Sequence, residues 1–452
     1  MPVEPQRWHF GVLPFTSTGQ LTPLILLAQN LRDRGHSVTF FEKRKIEDRV
    51  RQAGLEFCAI GESEASFKNN ENRVTNAEPQ SEFSKLAVNL RRILHDLDAY
   101  LRSSPAALMR AGVNVLLINE IALTGPTIAQ LLQLPYFIYS TSVPHNFGWK
   151  AFPPFSGYRY SSSCLSWLQV AVFEVSALRM QGPIRKWLDA YRRRVGLGPV
   201  RELPLVLPPL AQITQLPACL DFPRTRLPEN FHYTGPFVNR AGRPAVAFPW
   251  HRIDGRPLIY ASLGTTRNIR TAVFRLIAEA CRDIDVQLVI SLGGRFDPEM
   301  FSDLPGDPLV TRYAPQLELL KRARIVITHG GSNTVFESLM EGKPMIAIPL
   351  ALDQPAVAVR LARLGIAEVL PVMRLSSRTI RTAVTKLLHE PRYREAALKM
   401  QTKLRSLQGL ERAVDVIERA LEMQTSLRVA SNSDSRLAGI RKRDAVRLSA
   451  PR

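Results

Sequence analysis

The sequence predicts an α/β chain built as two doubly wound parallel-sheet domains, and three observations carry that reading. At 452 residues it is long enough for two full cores. Short apolar runs alternate with stretches at helical spacing, the pattern of parallel strands joined by crossover helices. Residues 236–256 carry prolines and glycines and separate two such arrays as a hinge would.

In the first array, Phe10-Gly11-Val12-Leu13-Pro14 reads as a buried strand, 16–20 as a loop and Leu21 to Arg34 as an amphipathic helix. Gly35-His36 ends that helix, with His36 as a C-terminal cap, and Ser37 to Phe41 is the second strand. Residues 61–82 are polar and read as a mobile loop. Leu86, Leu90, Leu94 and Leu97 space a helix from Phe83 to Leu101. Val113 to Ile118 is a strand ending at Asn119-Glu120, and Pro135 to Tyr139 is another. Leu165 to Leu178 is mostly apolar with Glu174 as its only charge, and Arg179, Arg185, Lys186, Arg192, Arg193 and Arg194 follow. Such a segment either lies in an anionic membrane interface or forms a core helix with a solvated basic edge.

In the second array, Pro257 to Thr265 is a strand running into a small-residue loop, with further strands at Val286 to Ser291 and Leu309 to Thr311. Arg324 to Thr328 then feeds His329-Gly330-Gly331-Ser332-Asn333-Thr334, and Val335, Phe336, Leu339 and Met340 follow at helical spacing. A strand, a glycine turn and a helix N-terminus present free N–H donors to a phosphate, and Gly330 and Gly331 allow close approach. His329 stands at the carboxyl end of its strand, where open α/β sheets bind ligands. Pro344 to Pro349 is the next strand, and Asp353 and Gln354 beyond it reach the same crevice. Tyr313 offers a flat face for a base. The domain closes near Val384 to Leu388, and Ala396 to Met423 is helical. Beyond about residue 425 the chain is polar and basic, and it is expected to be disordered.

The formal net charge of +20 calls for an anionic partner: a phosphate-bearing ligand, anionic lipid or nucleic acid. No nucleic-acid motif is present, so none is expected. Cys58, Cys164, Cys219 and Cys281 are far apart and suggest neither a metal nor a redox site. The start MPVEPQRWHF does not read as a signal peptide, and no apolar run reaches the roughly 18 residues of a membrane span. The expected location is cytoplasmic, at most peripheral to the inner face of a membrane.

The stretch from Tyr313 to Gln354 resembles the nucleotide-sugar signature of the UDP-glycosyltransferase family. Tyr313, Pro315, Gln316, His329, Gly331, Asn333, Thr334, Glu337, Gly342, Pro344, Asp353 and Gln354 fill that signature in order. The opening strand–loop–helix unit is similar to the family's first unit. Phe152-Pro153-Pro154-Phe155 resembles the branch of macrolide and zeaxanthin glucosyltransferases. The resemblance implies the GT-B fold, two facing doubly wound domains with a cleft between them. Its divisions here are 1–240 for acceptor binding, a linker at 241–256, 257–407 for the nucleotide sugar, a cross-back helix at 408–424 and the tail at 425–452.

The implied activity is inverting, metal-independent transfer of a hexose, glucose first, from a UDP-sugar to a hydroxyl of a hydrophobic small molecule or lipid. The UDP-sugar is a co-substrate and no cofactor is expected; thymine is the alternative base. By resemblance Tyr313 stacks on the base, Gln316 holds it, and Glu337 takes the ribose hydroxyls unless it is an exposed helix residue. Gly264, Thr265, His329, Gly331, Ser332, Asn333 and Thr334 meet the diphosphate, and Asp353 and Gln354 the sugar. His145, Phe152 and Phe155 fall in the acceptor region. The family's catalytic histidine and its orienting aspartate align with Gln20 and Asn119, and neither residue can act as a base. Three readings follow: another base, with Glu120 or His145 the candidates; an acceptor acidic enough to need little help; or a nucleotide-sugar-binding protein without transfer activity.

Overall fold

The computed structural model describes residues 7–16, 18–61, 82–144, 164–200, 209–224, 227–239, 246–264 and 271–427. His145, Phe152, Phe155 and Thr265 lie outside them, as do most of the 61–82 loop and residues 428–452 of the tail.

The first sheet has seven parallel strands: β1 (His9–Leu13), β2 (Ser37–Glu42), β3 (Glu56–Ala59), β4 (Val115–Asn119), β5 (Tyr136–Ser140), β6 (Ala211–Thr214) and β7 (Phe231–Tyr233). Their spatial order is β3-β2-β1-β4-β5-β6-β7. The second sheet has six: β8 (Leu258–Ser262), β9 (Gln287–Ser291), β10 (Leu309–Thr311), β11 (Ala323–Thr328), β12 (Met345–Ala347) and β13 (Ala367–Val369). All are parallel, ordered β10-β9-β8-β11-β12-β13. Strands such as Val115-Leu116-Leu117-Ile118-Asn119 are buried on both faces, so they read as continuous apolar runs. The sequence reading missed β3, β6, β7 and β13, which have only three or four residues and show no period.

The helices of the first lobe are α1 (Thr18–Asp33), α2 (Glu47–Gln52), α3 (Glu82–Arg110), α4 (Gly125–Leu131) and α5 (Cys164–Arg194). Those of the second are α6 (Thr271–Cys281), α7 (Gln316–Arg322), α8 (Ser332–Met340), α9 (Gln354–Arg363), α10 (Ser377–His389) and α11 (Pro391–Arg405). The last helix, α12 at 409–427, returns to the first lobe. There Leu410, Val414, Ile417 and Leu421 pack with Leu24, Leu27 and Leu31 of α1 in one core. His36 joins the same seam, its Nε2 3.2 Å from Glu418 Oε1, and Arg34 pairs with Asp415 and Glu418.

A single helix over Ala396–Met423 is not what forms. The chain breaks at residues 406–408, where Gln408 takes a left-handed conformation at φ +47°. Gly409 then passes so close to the outgoing linker that a Cβ would lie 2.5 Å from Pro236 O. Both crossings between the lobes touch at this point, and only glycine fits there.

The basic stretch also needs correcting. Arg192 is buried, donating to Gly198 O, Thr127 Oγ1 and Gln130 Oε1, while Arg193 and Arg194 are exposed. One member of the expected cationic edge is therefore a core strut. Among the described residues, no helix is long and apolar enough to cross a membrane.

Candidate active site

Each sheet reverses its winding once, between β1 and β4 in the first and between β8 and β11 in the second. Crevices at the carboxyl ends of such strands are where α/β sheets take ligands. Gln20 follows β1 and Asn119 ends β4; Gly264 follows β8 and His329 follows β11. The two reversal points face each other across the lobes.

On the first-lobe side, the backbone N–H of Ile121 donates to Asn119 Oδ1 at 3.0 Å. Asn119 Nδ2 donates to Gln20 Oε1 at 3.1 Å, and Thr141 Oγ1 donates to the same oxygen. Tyr139 lies fully buried on the same face of the sheet, and burial pushes its hydroxyl far above the usual range, so it keeps its proton. Glu120 is not in this group. Strand residues alternate faces, and Ile118 and Ile138 belong to the core opposite the one holding Leu117, Phe137 and Tyr139. Glu120 follows Ile118 onto that opposite face, is buried, and accepts from Ser140 Oγ. Glu120 is one residue beyond Asn119, but its carboxylate does not come to Gln20, because one residue along the strand changes face.

On the second-lobe side, α8 begins at Ser332 with Gly331 as N-cap and no side chain capping it. Its first N–H groups are open donors at the positive end of the helix. His329 is buried between two glycines. A Cβ on Gly264, at φ +72°, would lie 2.6 Å from the ring, and one on Gly331 would overlap Nε2. Burial lowers the His329 pKa to about 4, only partly offset by a hydrogen bond with the Ser262 backbone, so the ring is neutral at pH 7. Its Nδ1 is buried with no partner among the described residues.

Glu337, one turn into α8, is buried and not an exposed helix residue. Gln316 Nε2 donates to Glu337 Oε2 at 2.6 Å, and Tyr260 donates its hydroxyl to Gln316 Oε1 at 3.1 Å. Tyr313 is half-exposed and lies against Gly294, whose φ of +79° and missing Cβ make room for the ring. The glycine pair 293–294 after β9 was the available signal for that shelf, and sequence reasoning passed over it. Thr334 is buried and Asn333 partly so at the helix start. Ser332 Oγ lies 3.2 Å from Asp353 Oδ2. Gln354 Oε1 accepts the N–H groups of Leu350 and Ala351, so its carbonyl ties off the turn and only its amide nitrogen is left for other use.

Contacts across the cleft join the two sides. Asn333 Nδ2 donates to Gly19 O at 2.8 Å. That carbonyl is open because its helical partner would be the N–H of residue 23, which is Pro23 and has none. Ser332 Oγ is 2.6 Å from Ser142 Oγ, and Gln215 Nε2 is 3.4 Å from Asn333 Oδ1. The bonds of Thr141 to Gln20, of Ser142 to Ser332 and of Gln215 to Asn333 were not anticipated from sequence, although Thr141 and Ser142 open the segment that the family resemblance gives to the acceptor side.

Comparison with known proteins gives the family and the fold. The family model described as "UDP-glucoronosyl and UDP-glucosyl transferase" matches residues 27–431. A zeaxanthin glucosyltransferase of Pantoea ananas is 28% identical over 415 residues, 91% of this chain and 96% of that one. Among solved structures, the glycotransferase of kitacinnamycin has a TM-score of 0.71 at 23% identity, covering 92% of this chain and 99% of that one. The glycosyltransferase VinC, solved in complex with DTDP, has a TM-score of 0.65 at 19% identity, covering 92% of this chain and all 100% of its own. The fold these structures share is GT-B.

Proposed function

The chain belongs to the UDP-glucoronosyl and UDP-glucosyl transferase family and is a glycosyltransferase, and on that footing we propose which reaction it runs. It moves glucose from UDP-glucose to a hydroxyl of a hydrophobic small molecule or lipid, with inversion and without metal or cofactor. The acceptor oxygen attacks the anomeric carbon from the first-lobe side while the diphosphate leaves toward the second lobe.

The observation that carries this reading is the uncapped start of α8 beside His329, cleared by Gly264 and Gly331. Negative charge develops on the diphosphate, and the N–H groups of Asn333 and Thr334 and the Gly264 loop with Thr265 meet it as donors, with the neutral His329 ring packed beside them. Tyr313 stacks on the uracil, Gln316 orients it, and Glu337 accepts from the ribose hydroxyls. Asp353 and the amide nitrogen of Gln354 hold the sugar, with Ser332 orienting Asp353. His145, Phe152 and Phe155 are assigned to the acceptor side. The relative named for zeaxanthin supports an apolar acceptor, and the neighbour solved with DTDP makes thymidine diphosphate the second donor nucleotide to test. Exposed Leu168, Val172 and Val175 on α5, near Arg179, Arg185 and Lys186, favour docking on an anionic bilayer that holds such an acceptor.

The test is calorimetry with UDP and UDP-glucose, followed by acceptor-dependent UDP release across apolar phenols and alcohols. Glu337→Ala is expected to weaken UDP at least about tenfold. Absence of UDP binding by wild type overturns the donor reading. Binding with no release for any acceptor leaves the competing function, a nucleotide-sugar-binding protein. Flotation with anionic vesicles tests the membrane contact, and protein left in the lower fraction rejects it.

A further inference from the structure

The hydrogen bonds around Gln20 fix which end of its amide faces the cleft. A backbone N–H can only donate, so the Asn119 atom that accepts from Ile121 N must be the oxygen. The other end of Asn119 is then its nitrogen, and it meets Gln20 3.1 Å away. That atom of Gln20 must be its carbonyl oxygen, which also takes the Thr141 hydroxyl. Gln20 Nε2 is left with its two protons, on a half-exposed side chain, with no partner among the described residues. The orientation follows from the backbone and needs no choice between amide flips.

We infer that the acceptor oxygen bound at Gln20 arrives already ionised, as an acidic phenol, an enol or a carboxylate. The inference rests on the transferase reading above, narrows its hydroxyl acceptors to those acidic enough to be ionised, and admits a carboxylate beside them. An amide NH₂ holds an oxyanion and cannot remove a proton. Among the described residues, no neighbouring titratable group replaces the missing base; His145, the other candidate, lies outside them, and an inflection shared by all acceptors is the test for it. Tyr139 is buried and keeps its proton, and Glu120 lies on the other face of β4 with Ser140. Across the cleft, Asp353 is engaged with Ser332, and His329 is sandwiched between Gly264 and Gly331.

The step balances without a base. A lone pair of the acceptor oxyanion forms the bond to the anomeric carbon. The bond from that carbon to the diphosphate oxygen breaks, and its pair leaves with the diphosphate. No proton changes hands. One negative charge passes from the acceptor, held by Gln20 Nε2, to the diphosphate at the start of α8.

The experiment measures kcat/KM against pH with UDP-glucose and para-substituted phenols of similar size and graded acidity. A benzoate and para-nitrobenzyl alcohol are added as separate arms. The expected profile has an inflection that moves with each phenol's own ionisation, falling about tenfold per pH unit below it. The alcohol is expected at least about a hundredfold slower than the most acidic phenol. The benzoate arm separates a carboxylate acceptor from a phenolate or enolate one. Gln20→Leu is expected to lose about ten- to a hundredfold in kcat/KM for the ionised acceptors while UDP-glucose binding is unchanged. Gln20→His is expected to add an inflection common to all acceptors and to raise the alcohol. One inflection shared by all acceptors in wild type reveals a base supplied by the protein and overturns the inference, as does an alcohol turned over as fast as the phenols. UDP-glucose binding with no transfer to any ionised acceptor also overturns it. Failure to bind UDP-glucose brings down the donor reading and this inference with it.

Discussion

Arg360 of α9 donates twice to a single oxygen of Asp221, from Nε at 2.9 Å and Nη2 at 2.7 Å, and both side chains are 1% exposed. Asp221 belongs to the first lobe and Arg360 to the second, so the pair pins the lobes together beside the cleft. Arg224 takes the other carboxylate oxygen, Tyr233 donates its hydroxyl to it as well, and Phe222 lies under the Arg360 guanidinium. Burial alone would raise the Asp221 pKa; the two guanidiniums outweigh it and hold the carboxyl below its usual range. A depressed carboxylate stabilises the fold above the ordinary Asp range, and that contribution is lost as pH falls through it.

Asp221→Asn leaves two buried guanidiniums facing a neutral amide. The expected loss is about 3 kcal/mol of stability, because one partner of a buried pair is left uncompensated. Thermal denaturation near neutral pH checks this, and an unchanged Tm would show that the lobes do not depend on the pair.

The glycines around His329 are steric requirements. Gly331→Ala puts a methyl into the imidazole and Gly264→Ala adds a left-handed backbone penalty to a similar overlap. Each is expected to cost at least about tenfold in UDP affinity by calorimetry, with the helical circular dichroism unchanged.

Asn333 and Pro23 act on one carbonyl. Asn333→Ala removes the donor to Gly19 O and leaves that carbonyl without its bond across the cleft. Pro23→Ala supplies the missing helical N–H, which then competes with Asn333 for the same oxygen. The first is expected to lower transfer more than donor binding, since it loosens Gln20 against α8. The second is expected to stabilise the fold by about 1 kcal/mol while lowering kcat. Equal effects on donor binding and turnover would refute this assignment.

Two buried groups give stability opposite pH slopes. Burial raises Glu42 from 4.5 to about 7. The folded state therefore holds that proton more tightly, and stability is full below 4.5 and falls as pH rises through 7. Burial lowers His329 from 6.5 to about 4, so its contribution is full above 6.5 and falls as pH drops toward 4. Glu42→Gln keeps the acceptor for Lys43 N and Tyr100 and removes the titration. It is expected to stabilise the protein at about pH 8 by up to about 3 kcal/mol and to change little near pH 4.5. Urea denaturation at both pH values decides it.

The donor half of the site was legible in the sequence because it is local. Strand, glycine turn, helix and the next strand end lie within residues 313–354, and each residue's position follows from its own element. Glu337 and Gln316 are 21 residues apart, joined through one crossover unit. The acceptor half was not legible to the same depth. Gln20 meets Asn119 across 99 residues and Thr141 across 121, and those contacts depend on which face of β4 and β5 each side chain takes. Composition could not tell the buried Arg192 from its exposed neighbours, because burial of an arginine depends on carbonyls brought from α4 and the 198 turn.

By itself the sequence determined two parallel-sheet lobes, the places of their main strands along the chain and a nucleotide-sugar motif on the second. Hydrophobic period and turn chemistry act over a few residues, and a linear reading captures them. Only the tertiary structure decided that Asn119 and not Glu120 faces Gln20, that the Gln20 amide offers its nitrogen to the cleft, and that Asp221 and Arg360 lock the lobes. Each is a pairing of residues about a hundred or more apart in the chain, set by strand parity and by how two lobes close, and nothing local specifies it.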